Sequence, residues 1–115
     1  MKKLLGAILF VSSMTAGAQG VVAKGGSIDC GEWLDARKTK TAGYYEHYLL
    51  GLIDGMSLGR VVNIWAGKGG RITVEQYYYW MDTYCEKNPL QMTVSGAYDF
   101  ANEMSDGYYT KKMQR

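Results

Sequence analysis

Thr73-Val74-Glu75-Gln76-Tyr77-Tyr78-Tyr79-Trp80-Met81-Asp82-Thr83-Tyr84-Cys85-Glu86-Lys87-Asn88-Pro89 is the stretch that decides the fold. It opens on a capping box. The Thr73 side chain can accept from the backbone N–H of Gln76, and the glutamine can reach back to the N–H of Thr73. Val74, Tyr77, Tyr78, Met81, Tyr84 and Cys85 then recur at helical spacing on one face, with Tyr79 and Trp80 off it. Asn88-Pro89 ends the run, because proline lacks an N–H and disfavours helical backbone in the residue before it.

The flanking chain reads as further helices. Downstream, Pro89 suits the first position of a fourth helix. That helix uses Val94, Ala97, Tyr98, Ala101 and Met104 on one side with Phe100 flanking, and stops at Gly107. Upstream, residues 66–71 are Gly-rich and form a connector; the order of glycines followed by Lys and Ser/Thr that marks a phosphate loop is missing. A second helix spans residues 43–65, with Tyr45, Tyr48, Leu49, Leu52, Ile53 and Met56 at helical spacing. A first helix spans residues 30–38, with Ser27 or Asp29 as N-cap and Trp33 and Leu34 on its apolar face. No alternating strand pattern or internal repeat occurs, so the expectation is a small all-α, four-helix domain over residues 28–107.

Gly51, Gly55 and Gly59 fall on one stripe of the second helix. Each interior glycine costs about 1 kcal/mol against alanine. Two readings follow. Either a neighbouring element approaches closely there, which is favoured, or Gly55 or Gly59 breaks the helix in two. The stripe is also a candidate self-association face for a homodimer.

The N-terminus has the three zones of a secretory signal: Lys2 and Lys3, an apolar run over residues 4–11, and Ala16-Gly17-Ala18. That run is far shorter than the roughly 20 residues needed to span a bilayer. The expected organisation is a signal peptide at 1–18 cleaved near Ala18, a leader at 19–27, the helical domain, and a tail at 108–115 carrying Lys111, Lys112 and Arg115. The expected location is the periplasm. Of 13 basic residues, Lys2 and Lys3 leave with the signal, so 11 face 11 acidic ones. No basic footprint for nucleic acid is left.

Two cysteines in an exported chain allow one intramolecular bridge, Cys30 to Cys85. In the simplest chain-entropy model such a bridge contributes roughly 3–4.7 kcal/mol. Free thiols or a metal pair are the competing reading. The cysteines and the single histidine, His47, lack the close spacing of a zinc site.

No nucleophile stands at a spacing that pairs it with His47, and nothing selects two of Asp54, Asp82, Glu86 and Asp99 as a glycosidase pair. The reading is of a non-enzyme that needs no cofactor and no metal; Glu46, His47 and Asp54 are the first residues to test if it catalyses. Ten tyrosines and three tryptophans exceed what a four-helix core can enclose. The competing reading has their rings lining the core with the polar tips in water. Exposed Tyr and Trp are enriched at interfaces, and Tyr78, Tyr79, Trp80 and Tyr108 are the expected interface residues.

Cys30-Gly31-Glu32-Trp33-Leu34, Tyr48-Leu49-Leu50-Gly51-Leu52-Ile53-Asp54-Gly55 and Tyr79-Trp80-Met81-Asp82-Thr83-Tyr84-Cys85 with Asn88-Pro89-Leu90 together resemble small exported proteins of the HdeA-like helical superfamily. Within it they look most like the Rap/Tai immunity proteins of type VI secretion. The resemblance implies an all-α periplasmic domain with a bridge from the first helix to a later one. It also implies a protein partner, a peptidoglycan hydrolase or toxin that is bound and blocked. The acid-activated chaperones of the superfamily imply another role, but this chain lacks their charge density and has one histidine to titrate. The Cys-Gly-Glu-Trp and Tyr-Cys-Glu-Lys-Asn pieces are also similar to the spackle proteins of T-even phages, which inhibit a phage lysozyme and exclude superinfecting phage.

Overall fold

The computed structural model describes residues 27–108 and 110. The expected signal peptide, most of the leader, and the tail beyond Thr110 lie outside these residues. Among them are four α-helices: α1 (Cys30–Lys38), α2 (Gly43–Arg60), α3 (Val74–Lys87) and α4 (Thr93–Met104), with a 3₁₀ turn at Ile64–Ala66 before α3. Among the described residues there is no strand, and none of their helices is long and apolar enough to cross a membrane. The domain is all-α and carries one disulfide, Cys30 to Cys85, with Cα atoms 4.8 Å apart.

Each helix end has a local cause. Asp29 caps α1 by accepting from the Glu32 N–H at 2.8 Å. The capping box of α3 is complete: Gln76 N–H to Thr73 Oγ1 at 3.1 Å and Thr73 N–H to Gln76 Oε1 at 2.8 Å. α4 follows Met92, which has no capping side chain. Backbone from the start of α1 takes over that role. The Thr93 N–H donates to the Ile28 carbonyl at 2.8 Å and the Cys30 N–H to the Gln91 carbonyl at 2.9 Å, so two helix N-termini satisfy each other's orphan donors. Thr93, fully buried, adds its hydroxyl to the same Ile28 carbonyl at 3.0 Å.

α3 lies at the centre and packs on α1 and α4; α4 in turn packs on α2. The core holds Trp33 from α1, Leu49 and Ile53 from α2, Ile64 from the 3₁₀ turn, Tyr77 and Met81 from α3, and Ala97, Phe100 and Ala101 from α4. The disulfide ties the first residue of α1 to the last turn of α3 within this core.

The structure departs from the sequence reading at four places. α2 ends at Arg60 rather than 65, because Val61 turns into the left-handed region (φ 55°). The N–H groups of Val61 and Val62 then close on the Leu58 and Ser57 carbonyls, a Schellman motif with valine where glycine is usual. Second, Gly51, Gly55 and Gly59 neither break α2 nor meet a neighbour: they are exposed, and a Cβ on any of them would touch nothing within 4 Å. The close approach occurs at Gly96 of α4, where a Cβ would sit 2.7 Å from Met81 Sδ and from the Tyr84 ring. Third, Pro89 does not start α4. It lies in a turn, and α4 begins at Thr93, where pairing with residues 28–30 supplies the cap. Fourth, α4 ends at Met104, not Gly107, and Phe100 is at the centre of its buried face rather than beside it.

Candidate functional site: an aromatic groove on the third helix

Tyr77-Tyr78-Tyr79-Trp80 places four aromatic rings around one turn of α3, and each meets a different environment. Tyr77 is fully buried; its ring lies 4.5 Å from Phe100, and its hydroxyl reaches the Leu49 carbonyl at 3.4 Å. Burial raises its phenol far above the ordinary value. Tyr78 faces α1 and α2. Its hydroxyl donates to the Glu46 carbonyl at 3.1 Å, and its ring is 6.3 Å from Trp33. Burial, followed by the nearby Glu46, raises its phenol.

Beside Tyr78 a polar cluster joins three helices. Arg37 of α1 donates through Nε (3.0 Å) and Nη2 (3.0 Å) to Asp82 of α3, and through Nη1 (2.7 Å) to Glu46 of α2. Its guanidinium lies over the Trp33 and Tyr78 rings, 5.7 and 5.8 Å from their centroids. Asp82 also accepts the Trp33 indole N–H at 2.8 Å. Hydrogen bonding by Asp82 raises Arg37 further above its already high value. The planar fork matches two carboxylates at once, so one cation joins two acidic side chains and serves as a clamp between helices.

The remaining two aromatics border a groove of about 490 Å³ on the outer side of α3. Trp80 stacks on Tyr84 (centroids 5.5 Å apart, planes 11° from parallel) and sets an edge against Phe100 at 5.3 Å. Its indole N–H donates to Glu103 of α4 at 3.2 Å. Burial, and secondarily Asp99, raises the Tyr84 phenol. Tyr79 stands at the rim and is 68% exposed. Gln76, Thr83, Lys87 and Asn88 supply the polar border.

The four expected interface residues are thus not one surface. Tyr79 is open, Trp80 is half-buried with its ring locked, Tyr78 is committed to the α1–α2 side, and Tyr108 is half-buried against the core. Tyr84 and Glu103 belong to the groove and were missed by the sequence reading. Tyr84 shares the helical ridge of Trp80 at i+4, a signal that its place on the core-facing stripe masks.

The residues named as first tests of catalysis have separate structural partners. Glu46 pairs with Arg37. Asp54 accepts the Trp65 indole N–H at 2.7 Å. The Nδ1–H of His47, which is exposed, donates to the Gly43 carbonyl one turn back at 2.6 Å. Among the described residues no group of three or more His, Cys, Asp or Glu side chains is placed to hold a metal ion.

The chain matches no protein-family model, no curated protein and no solved structure, so the groove on α3 has to be interpreted from its own side chains.

Proposed function

We propose that this protein is a periplasmic inhibitor of immunity type, which neutralises a cell-wall-degrading enzyme by covering it with the aromatic side of α3. One observation carries the reading: Tyr79, a large amphipathic ring left 68% exposed, stands on a helix fixed by a disulfide and a capping box, beside the locked Trp80–Tyr84 stack. Rigid aromatics lose little entropy on binding and make good anchors. The signal-like N-terminus, the bridge and the likeness to immunity proteins support a target outside the cytoplasm. On this reading the protein is not an enzyme and needs no cofactor.

The test is inhibition. Purified protein is mixed with a panel of peptidoglycan hydrolases that includes phage lysozymes, and turbidity clearing of cell walls is followed. The expected result is stoichiometric inhibition of at least one, relieved about tenfold or more by Tyr79→Ala. If no hydrolase is inhibited, and deleting the gene leaves cells no more sensitive to attackers or phage, the reading fails. A phage lysozyme as the target would place the protein with the superinfection-exclusion class. Suppression of client aggregation at low pH without hydrolase inhibition would move it to the chaperone class.

A further inference from the structure

The groove on α3 has a chemistry of its own, separate from any protein partner. Gln76, Tyr79, Trp80, Thr83, Tyr84 and Lys87 follow one ridge of the helix, and the 11 steps from Gln76 to Lys87 at 1.5 Å rise span about 16 Å. The groove volume of about 490 Å³ falls in the range of roughly 300–1,000 Å³ typical of small-ligand sites. Among its lining is a fixed pair of mutually stacked rings, Trp80 and Tyr84, with Trp80 held by Glu103 and Phe100.

The polar border is partly used and partly open. Gln76 spends its Oε1 on the Thr73 N–H, which leaves its amide N–H groups as donors. Asn88 spends its Nδ2 on the Tyr84 carbonyl at 2.9 Å, which leaves its amide oxygen as an acceptor. Lys87 and Glu103 contribute one charge of each sign, so the groove is neither a phosphate nor a cation site. Flat apolar rings edged by an amide donor, an amide acceptor and balanced charges complement a pyranose. Its axial C–H faces stack on aromatic rings, while its equatorial hydroxyl and acetamido groups both donate and accept.

We infer that this groove binds a β-linked N-acetylhexosamine oligosaccharide, with one ring over Tyr79 and another over the Trp80–Tyr84 stack. The length of the ridge takes more than one sugar, and the two amides match acetamido groups better than plain hydroxyls. The inference does not rest on hydrolase inhibition, and the experiment contains no hydrolase.

Isotope-labelled protein is titrated with three probes while the three tryptophan indole N–H signals are followed by NMR. The probes are chitotetraose, peptide-stripped peptidoglycan strands and maltotetraose. The Trp80 signal should move with either N-acetylhexosamine probe, while those of Trp33 and Trp65 stay; maltotetraose should bind at least about fivefold more weakly. A response to chitotetraose identifies the plain hexosamine chain as sufficient. A response to the stripped strands alone identifies the wall glycan. Tyr79→Ala should weaken binding about fivefold to tenfold, the loss of one ring contact. Gln76→Glu keeps the capping box, since glutamate also serves at that position, but replaces the amide donor with an acceptor. It should weaken binding by a similar factor, whereas the exposed and distant Leu58→Ser should leave it unchanged. No Trp80 shift with either hexosamine probe, equal affinity for maltotetraose, or indifference to both groove variants would overturn the inference.

Discussion

The indole N–H of Trp33 and the guanidinium of Arg37, both from α1, converge on the single carboxylate of Asp82 in α3, at 2.8 Å and 3.0 Å respectively. One acidic side chain thereby satisfies a fully buried tryptophan and anchors a cation that also holds Glu46 of α2. Its loss strands two donors, whereas loss of Glu46 leaves Arg37 still paired. Asp82→Ala should therefore cost about 2–3 kcal/mol, as expected when donors lose a charged acceptor. Glu46→Ala should cost less than about 1 kcal/mol, as for a partly exposed pair. Urea unfolding midpoints of the two variants check the ordering; equal losses would mean that Asp82 is not the keystone of the cluster.

Glycine substitutions should divide by sign. Gly51→Ala, Gly55→Ala and Gly59→Ala fill open space on an exposed helix face, and each should stabilise by up to about 1 kcal/mol. Gly96→Ala drives a methyl to 2.7 Å from Met81 and Tyr84 and should destabilise by about 1–3 kcal/mol. Thermal unfolding of the four variants reads the signs directly, and a destabilised stripe would reveal a contact outside this chain.

Val61 is the reverse case. A β-branched side chain sits 93% exposed at φ 55°, where L residues other than Asn or Gly are strained. Val61→Gly should raise stability by about 1 kcal/mol through relief at the end of α2. An unchanged or lower melting temperature would refute this account of the helix end.

Reducing the disulfide should cost about 4 kcal/mol in the chain-entropy model for its separation of 55 residues. A domain of this size has little more than that in reserve. Far-ultraviolet circular dichroism with and without reductant checks it. Retention of a full cooperative transition at an unchanged temperature would show that the core alone sustains the fold.

Alkaline pH should unfold the domain cooperatively. Tyr77 is raised by burial in the folded state, and an unfolded tyrosine ionises near about pH 10. The folded state thus holds a proton that the unfolded state releases. Stability from this group is complete below about pH 10 and is lost as pH rises toward the higher folded value. Tyrosinate absorbance should show a late step coincident with loss of helicity. Tyr77→Phe should flatten the alkaline decline, and a decline of undiminished slope in that variant would assign it to other groups.

The helices could be read ahead of the structure wherever a local signal marked their ends. The capping box at Thr73 and Gln76 and the carboxylate at Asp29 both lie where expected. Periodicity also found the buried Tyr77–Met81–Cys85 stripe. What it could not supply was the occupant opposite each face. The glycines of α2 look like a packing stripe because their spacing is regular, but regular spacing says nothing of which side a neighbour takes. Gly96, next to Ala97, gave no such pattern and is the position where two helices touch. The start of α4 escaped for a related reason, since its cap is a distant backbone carbonyl rather than a nearby side chain. Arg37 carries no signal of its own, because a lone arginine in a short helix resembles any solvated charge until Glu46 and Asp82, 9 and 45 residues away, are brought to it.

The pairing of Ile28 and Cys30 with Thr93 and Gln91 has a consequence for how the chain is made. The two halves of that junction lie some 60 residues apart, Thr93 Oγ1 and Ile28 being 65 positions from one another. A polypeptide emerging from its N-terminus delivers α1 first, but its disulfide and its Asp82 contacts wait for α3, and its backbone junction waits for the opening of α4. For much of its emergence the first helix waits for these distant partners, and the backbone junction with α4 closes last. A fragment cut before Thr93 would lose the last helix and also the Thr93 contacts that hold Ile28 ahead of the first.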